Sequence, residues 1–320
     1  MPKSVLFCLL VLLTLQGMAQ TYPPAAGQPG STAIHKNDGA FVAWASGISL
    51  TRGYIKLSEP GLGFVTSGVA ENAVGFPTGA IVSLGDRGEA VATFNLPITN
   101  GPGFDFAVFE NGNIGYLELG IVEVSSDGVN YFGFPMHSQT QVNTQIGTFE
   151  TPSAPYLHNI AGKYEGTHGT PFDLSEIPDN PLLNKQHVTH VKIIDVVGSI
   201  SSVYATYDSF GNAINDSYPT PFDTGGFDLQ AVGVIHQQVL GTHGFGYKFF
   251  LMYPNPATGV IYFTAAAEFS VKLFDMSGRI VKSLQTGNHE KLAVSDLASG
   301  NYVMEIVNTE EKIFKNLIIR

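Results

Sequence analysis

The chain has 320 residues, of which 44% are hydrophobic and only 13% charged. With 36 Gly, 18 Pro, 22 Phe and 13 Tyr against one Trp, the composition excludes a coiled coil or helical bundle, and so much apolar material with so little charge excludes general disorder. A net charge of -11 argues against a nucleic-acid partner, which needs a basic surface. The charge is unevenly spread: residues 20–247 carry 20 acidic and 7 basic side chains, residues 248–320 carry 7 and 8, which points to two modules.

The first residues read as a secretory signal, residues 1–19. Lys3 precedes an apolar run, Val5 to Leu15, and then Gly17-Met18-Ala19, a small-residue cleavage site that leaves Gln20 at the mature end. The run is too short for a comfortable membrane span, and no other stretch offers a transmembrane segment. Cys8, the single cysteine, lies inside the run, so the mature chain has no disulfide, cysteine-ligated metal or thiol nucleophile.

Residues 20–240 carry frequent strand candidates: Ala90 to Ile98, Phe104 to Phe109, Leu117 to Ser125, Val188 to Val197 and Phe227 to His236. Turn chemistry separates them, at Asn100-Gly101-Pro102-Gly103 and Ser126-Asp127-Gly128. Helical periodicity is confined to a turn or two at Asp173 to Ile177. The expectation is all-β, a jelly-roll-like β-sandwich. The segments IVSLGDRGEAVATFNLPITNGPGFDFAVFENG, LELGIVEVSSDGVNYFGFP, HVTHVKIIDVVGS and GGFDLQAVGVI resemble a family of secreted bacterial cell-surface proteins. That resemblance implies a galactose-binding-like or carbohydrate-binding jelly roll at the cell surface, in company with nutrient uptake, of glycans or corrinoids.

Between the last two strands lies a long connection, GSISSVYATYDSFGNAINDSYPTPFDTGG, of the kind that often carries function. Asp208, Asn212, Asn215, Asp216 and Asp223 alternate there with Tyr204, Tyr207, Phe210, Tyr218 and Phe222. Oxygen ligands crowded around glycines suit Ca²⁺; Asx turns in a solvated loop account for the same residues. Asp195 shares a strand face with Val191 and Ile193, where a bare carboxylate is costly. It needs a cation, hydrogen-bond donors or a proton, and the expected calcium set is Asp195, Asp208, Asn212, Asp216 and Asp223. Asp105 is expected near the same region, with Glu110 pointing the other way. Tyr204, Tyr207, Phe210 and Tyr218 are the candidate ligand-binding platform; for Trp44 core packing competes with that role.

No Gly-x-Ser-x-Gly, His-Glu-x-x-His or phosphate-cradling loop occurs. His187 and His190 fall on opposite strand faces and are poor joint ligands. Glu110 and Glu118 are a pair that a glycosidase could use.

Residues 241–252, with Gly241, Gly244 and Gly246, read as a linker, and residues 253–320 as a small antiparallel sandwich. It opens on Tyr253-Pro254-Asn255-Pro256 and continues with strands at Ser270 to Phe274, Ile280 to Leu284, Tyr302 to Val307 and Phe314 to Ile319. Turns at Gly278 and Gly300 separate them, and Asn308 to Lys312 make a last hairpin. The strings YPNPATGVIYF, VKLFDMSGRIVKSL, LASGNYVMEIV and KNLIIR resemble the C-terminal sorting domain of the Bacteroidetes type IX secretion system, an Ig-like sandwich. The resemblance implies that the type IX machinery is the partner. It also implies passage through the outer membrane, then removal of the domain with release of the cargo or its anchoring to surface lipopolysaccharide. Tyr253, Pro254, Asn255, Pro256, Gly278, Gly300 and Tyr302 are the residues that carry it.

Three function classes remain from the sequence: an exported binding or adhesion module, calcium-stabilised or not; an enzyme acting on polysaccharide; and a structural surface component.

Overall fold

The computed structural model describes residues 22–111, 115–238, 250–265, 269–286, 289–307 and 312–320. The segment 1–19 read above as a signal, with Cys8, positions 241–249 of the expected linker and positions 308–311 of the expected hairpin lie outside the described residues. The chain divides into two compact units, Met1–Gln238 and Val239–Arg320.

The first unit contributes β1 (Ile34–His35), β2 (Ala43–Trp44), β3 (Gly47–Thr51), β4 (Val82–Ser83), β5 (Glu89–Ile98), β6 (Phe106–Glu110) and β7 (Gly120–Ser125). It continues with β8 (Phe132–Gly133), β9 (His137–Ser138), β10 (Leu157–His158), β11 (His168–Phe172), β12 (Val188–Asp195) and β13 (Asp228–Val234). One sheet runs β1-β11-β6-β13-β2 with β4 beside β13, the other β3-β5-β12-β7-β8, and β9 pairs with β10 apart from both. Pairing within these ladders is antiparallel.

Side chains two apart share a strand face, and that alternation builds the sandwich. Phe106 and Val108 of β6, Phe172 of β11 and Leu229, Val232 and Val234 of β13 meet Ala90 and Ala92 of β5, Val122 and Val124 of β7, and Val191 and Ile193 of β12 in one core. The opposite face of β6 and β13 holds a second cluster of Ala107, Phe109 and Ala231 under Phe41 and Trp44. Trp44 packs on Phe41 at 4.9 Å, Phe76 at 5.3 Å and Phe109 at 5.5 Å, which is packing rather than a free platform. The helical periodicity at 173–177 is one 3-10 turn, Leu174–Glu176, capped by Asp173 accepting from Ser175 N–H at 2.8 Å. At the β7–β8 turn, Asp127 accepts from the N–H groups of Val129 and Asn130, each at 2.8 Å, and Gly128 takes φ +75°.

Asp105 is fully buried beside β6, but not near Asp195 as expected. Its carboxylate accepts from Gly101 N–H at 2.7 Å, Leu174 N–H at 2.8 Å and the His236 ring at 2.8 Å. It thereby fastens three segments at one end of the sandwich.

The second unit has β14 (Phe250–Tyr253), β15 (Val260–Ala265), β16 (Phe269–Phe274), β17 (Ile280–Thr286), β18 (His289–Ala293), β19 (Gly300–Val307) and β20 (Lys312–Ile319). Sheets β14-β15-β18 and β17-β16-β19-β20 pack through a core that includes Ile261, Leu292, Val271, Met304 and Leu317. The linker reading 241–252 runs into β14, which already begins at Phe250. β15 hides from a hydrophobicity pattern because the residue it turns outward, Tyr262, is itself aromatic and 46% exposed. Tyr253 stacks on Tyr262 at 5.8 Å. Asn255 is a clamp: its Nδ2 donates to Asn316 O and its Oδ1 accepts from Ile318 N–H, each at 2.9 Å. Thus Tyr253-Pro254-Asn255-Pro256 is bound to the last strand. Gly278 sits at φ +82° in the β16–β17 turn, and Tyr302 donates to Ala298 O at 2.7 Å just ahead of Gly300.

Asp105→Ala removes the one buried acceptor shared by three donors. It is expected to destabilise the first unit by about 3 kcal/mol, and the fluorescence of Trp44, the chain's single tryptophan, reads that unit in a denaturant titration. An unchanged midpoint would show that Asp105 fastens nothing.

Candidate functional site

At the other end of the sandwich the inward-facing rows of both sheets finish in acids. On β6 the row is Phe106, Val108, Glu110; on β12 it is Val191, Ile193, Asp195. On β7 the row of Val124, Val122 and Gly120 continues backward to Glu118. β13 opens with Asp228. Register brings these ends together: Asp195 lies opposite Gly120 and Glu110 opposite Leu229. Glu110 therefore shares the core face, the reverse of its expected direction.

Glu110, Glu118 and Asp228 line an open cleft of about 430 Å³, within the size range of small-molecule sites. Tyr116, Phe149 and Phe222 add aromatic surface. The Phe149 and Phe222 rings stand 6.0 Å apart at 31°, with the residues 83% and 43% exposed. Tyr116 is fixed by donating to Thr148 O at 2.9 Å. Gly162 passes behind Glu118 at φ +78°, where a Cβ would stand 1.7 Å from Glu118 O, so no other residue fits there.

Burial, then the charges of Asp228, Glu110, Asp216 and Asp195, holds the Glu118 carboxyl well above the usual carboxylate range. Burial pushes Asp228 up to about 6. Its Oδ1 is enclosed, and hydrogen bonding from the Ser83 side chain, its register partner on β4, offsets part of that burial.

Behind the cleft, and sharing Glu118 and Thr220 with it, a crevice of about 10 Å³ is lined by Asp86, Asp195 and Asp216. That is about the space of one water. Asp195 accepts from Phe227 N–H at 2.7 Å and Arg87 N–H at 3.1 Å. Asp216 accepts from Ser217 N–H at 2.7 Å and Leu119 N–H at 3.0 Å, and Asp86 from Leu57 N–H at 2.7 Å. Burial outweighs these bonds. It raises Asp86 to about 6 and Asp216 to about 7, and with the nearby charge of Asp86 it holds Asp195 well above its ordinary value.

The five residues expected around calcium are therefore dispersed. Asp195 and Asp216 line the crevice. Asp208 closes its own turn, accepting from Ser138, Phe210 and Asn212 N–H groups and from the Asn212 side chain. Asp223 accepts from Thr66 N–H and its hydroxyl. Asp208, Asp216 and Asp223 do not converge, and among the described residues no three of His, Cys, Asp and Glu are grouped to hold a metal ion. Local turn and backbone bonding, the other reading of this loop, accounts for the observed partners. The platform Tyr204, Tyr207, Phe210 and Tyr218 is likewise not brought together in the cleft. Phe210, 69% exposed, lies on His137 at 4.6 Å, and Tyr207 pairs with Ala213. The aromatics that do line the cleft are Phe222 from that loop, with Phe149 and Tyr116 from elsewhere. Nothing local in the sequence marks Phe149, Tyr116 or Asp228; only strand parity running past the core residues points at Glu118.

Residues 251–320 match the family described as the secretion system C-terminal sorting domain. The second unit is thus a type IX sorting domain and the chain is a secreted cargo protein. No helix among the described residues is long and apolar enough to cross a membrane. No curated protein matches the chain in sequence. Solved structures similar to it include the β-glucuronidase from Ruminococcus gnavus without ligand, at 13% identity over 73% of this chain and 36% of that chain with a TM-score of 0.22. The same enzyme with uronic isofagomine gives 12% identity over 88% and 44% with a TM-score of 0.23. The chain spans less than half of the glucuronidase, and a likeness this loose says nothing about activity.

The raised carboxyls set the pH dependence of the first unit. Asp86, Asp195, Asp216, Asp228 and Glu118 bind protons more tightly folded than unfolded. Their stabilisation is complete below the ordinary carboxylate range and is lost as pH rises through about 6 to 7, at about 1.4 kcal/mol for each tenfold change in proton affinity. Asp208 and Glu176, whose values are lowered, are ionised in both states above pH 5 and do not counter this. Thermal melts followed by Trp44 fluorescence are expected to be several degrees lower at pH 8 than at pH 5, and Asp216→Asn should reduce the slope. A flat or opposite profile would refute the assignment.

Proposed function

We propose that the chain is an exported, non-enzymatic binding protein whose first unit captures a polyhydroxylated ligand, a glycan, in the cleft at the end of the sandwich. The observation that carries this reading is the combination of an acidic floor, Glu110, Glu118 and Asp228, with two exposed aromatic faces, Phe149 and Phe222, in one cleft of a secreted cargo protein. Sugar hydroxyls are donors that carboxylates accept, and the C–H faces of a sugar ring lie well on aromatic rings. The sorting unit serves delivery, and surface display or release follows from it. A role in nutrient capture, of glycans or corrinoids, fits the same cleft.

A polysaccharide-acting enzyme is the second reading. Glu110 and Glu118 line one cleft, and burial, with the crowded carboxyls beside it, raises the proton affinity of Glu118 in the direction that a general acid needs. Reducing-end release from polysaccharides that bind, abolished by both Glu110→Gln and Glu118→Gln, would convert the binding protein into a hydrolase.

An array of immobilised glycans and corrinoids, probed with the full chain, tests the leading reading. Binding to a glycan is expected, weakened roughly tenfold by Phe222→Ala or Glu118→Gln, the scale of one lost contact. Absence of binding across the array would leave a structural surface component. Deleting residues 251–320 is expected to hold the first unit, still folded, inside the outer membrane; normal surface display of the truncated chain would overturn the export assignment.

A further inference from the structure

We infer that His35 and His168 form a site for one divalent transition-metal ion of the zinc, nickel and copper class, apart from the cleft and independent of the glycan reading. The two histidines are register partners across the edge pair β1–β11. Lys36 N–H donates to Thr167 O at 2.9 Å, while His168 N–H is spent on Glu165 O and His35 O on Asp38 N–H. His35 and His168 are thus a non-hydrogen-bonded pair, the kind in which facing side chains stand closest. Their ring centres are 5.1 Å apart. With a metal–nitrogen bond near 2.1 Å, each ring centre stands roughly 3.2 Å from a bound ion, and two rings at that separation enclose roughly 105° at the metal, close to tetrahedral. The rings meet at 72°. Rotation about χ2 turns each ring on an axis through its own centre, so the nitrogens can be aimed at a shared ion with the separation kept.

Among the described residues the hydrogen bonds of these two rings are long: Asn37 N–H to His35 Nδ1 at 3.2 Å, and the Thr167 hydroxyl to His168 Nδ1 at 3.3 Å. Burial, and then the charge of His35 beside it, lowers the proton affinity of His168, which favours the neutral imidazole that a metal needs. The neighbouring base is turned away: Lys36 Nζ donates to Pro77 O at 3.1 Å and lies over the Phe76 ring. The adjoining turns carry acids, Asp38 and Glu165. His137 and His158 supply a contrast within the chain. They too are register partners, on β9 and β10. There Tyr22 fills the place: its hydroxyl bonds His137 Nδ1 at 2.6 Å, its ring stacks on His158 at 4.6 Å, and His158 Nε2 pairs with Glu176 at 3.4 Å. The pair on β1 and β11 has no such occupant among the described residues. Two imidazoles, with water completing the shell, suit Cu²⁺, Ni²⁺ and Zn²⁺ rather than oxygen-seeking Ca²⁺. Bound there, the ion staples the edge strand β1 to β11.

The test is calorimetric titration at pH 7.5 of the full chain, free of any histidine tag, with Zn²⁺, Ni²⁺, Ca²⁺ and, as its glycine complex, Cu²⁺. One strongest site per chain is expected for the three transition metals, with Cu²⁺ at least tenfold tighter than Zn²⁺ and Ca²⁺ not bound there. His35→Ala and His168→Ala should each weaken that site at least tenfold, while His137→Ala changes it less than twofold. Electron paramagnetic resonance of the Cu²⁺ complex should show two nitrogen ligands, and no more than one in His35→Ala. The denaturant midpoint of Trp44 fluorescence without metal checks that the variants are folded, and His35, which is exposed, is the variant least able to disturb the core. Wild-type affinity in the double variant His35→Ala/His168→Ala would overturn the site. So would loss of the strongest site in His137→Ala, which would assign it to the other pair. Absence of transition-metal binding by the wild-type chain would overturn it outright.

Discussion

The constraint on which the first unit depends is the burial of acids without bases. Asp86, Asp195 and Asp216 are each less than 5% exposed. Each is met mainly by backbone N–H groups, and apart from the bond from Ser217 to its neighbour Asp216 each such bond joins segments that are distant in sequence. Asp195 ties the end of β12 to Arg87 and to Phe227; Asp216 ties the loop after β12 to Leu119. Backbone donors satisfy the geometry of a carboxylate but offset only part of its desolvation. The remainder is made up by protons. The position of the cleft wall from Ser217 to Phe227 therefore rests on carboxyl groups whose charge state is not settled by the fold alone.

The two ends of the sandwich resolve the same problem in opposite ways. At one end a single acid, Asp105, is surrounded by three donors and the end is closed. At the other, several acids share one region and part of their hydrogen-bonding capacity faces an opening. A β-sandwich buries its faces by necessity, so its freedom to bind lies at its ends and edges. Here the choice of which end stays open follows from where the inward rows of β6 and β12 run out of apolar residues.

Much of this was legible in the sequence, and the reasons for the rest are specific. Strands β5, β6, β7, β12 and β13 stand out because turn residues and alternating apolar positions delimit them. β18 does not, since of its residues Leu292 enters the core beside polar neighbours. Asp195 announces itself by parity with Val191 and Ile193, and its need for donors is met by Phe227 and Arg87. The loop at 198–226 reads equally as a metal site or as turns, because Asp and Asn serve both; only three-dimensional partners separate them. The cleft itself is assembled from positions 110, 118, 149, 222 and 228, and no local pattern marks their convergence. The C-terminal unit is the opposite case: its identity lies in contiguous strings, and the fold places those strings at turns and at the clamp.

That clamp has a consequence for biogenesis. Asn255, near the start of the sorting unit, takes both its partners from β20, and Ala257 bridges to Ile319 at the far end of the same strand. The first turn of the unit thus cannot be secured until the last strand exists. A polypeptide broken off by premature termination anywhere before Lys312 lacks the partner that closes the unit, however intact its cargo. Recognition of the closed unit would report that translation had passed Ile319.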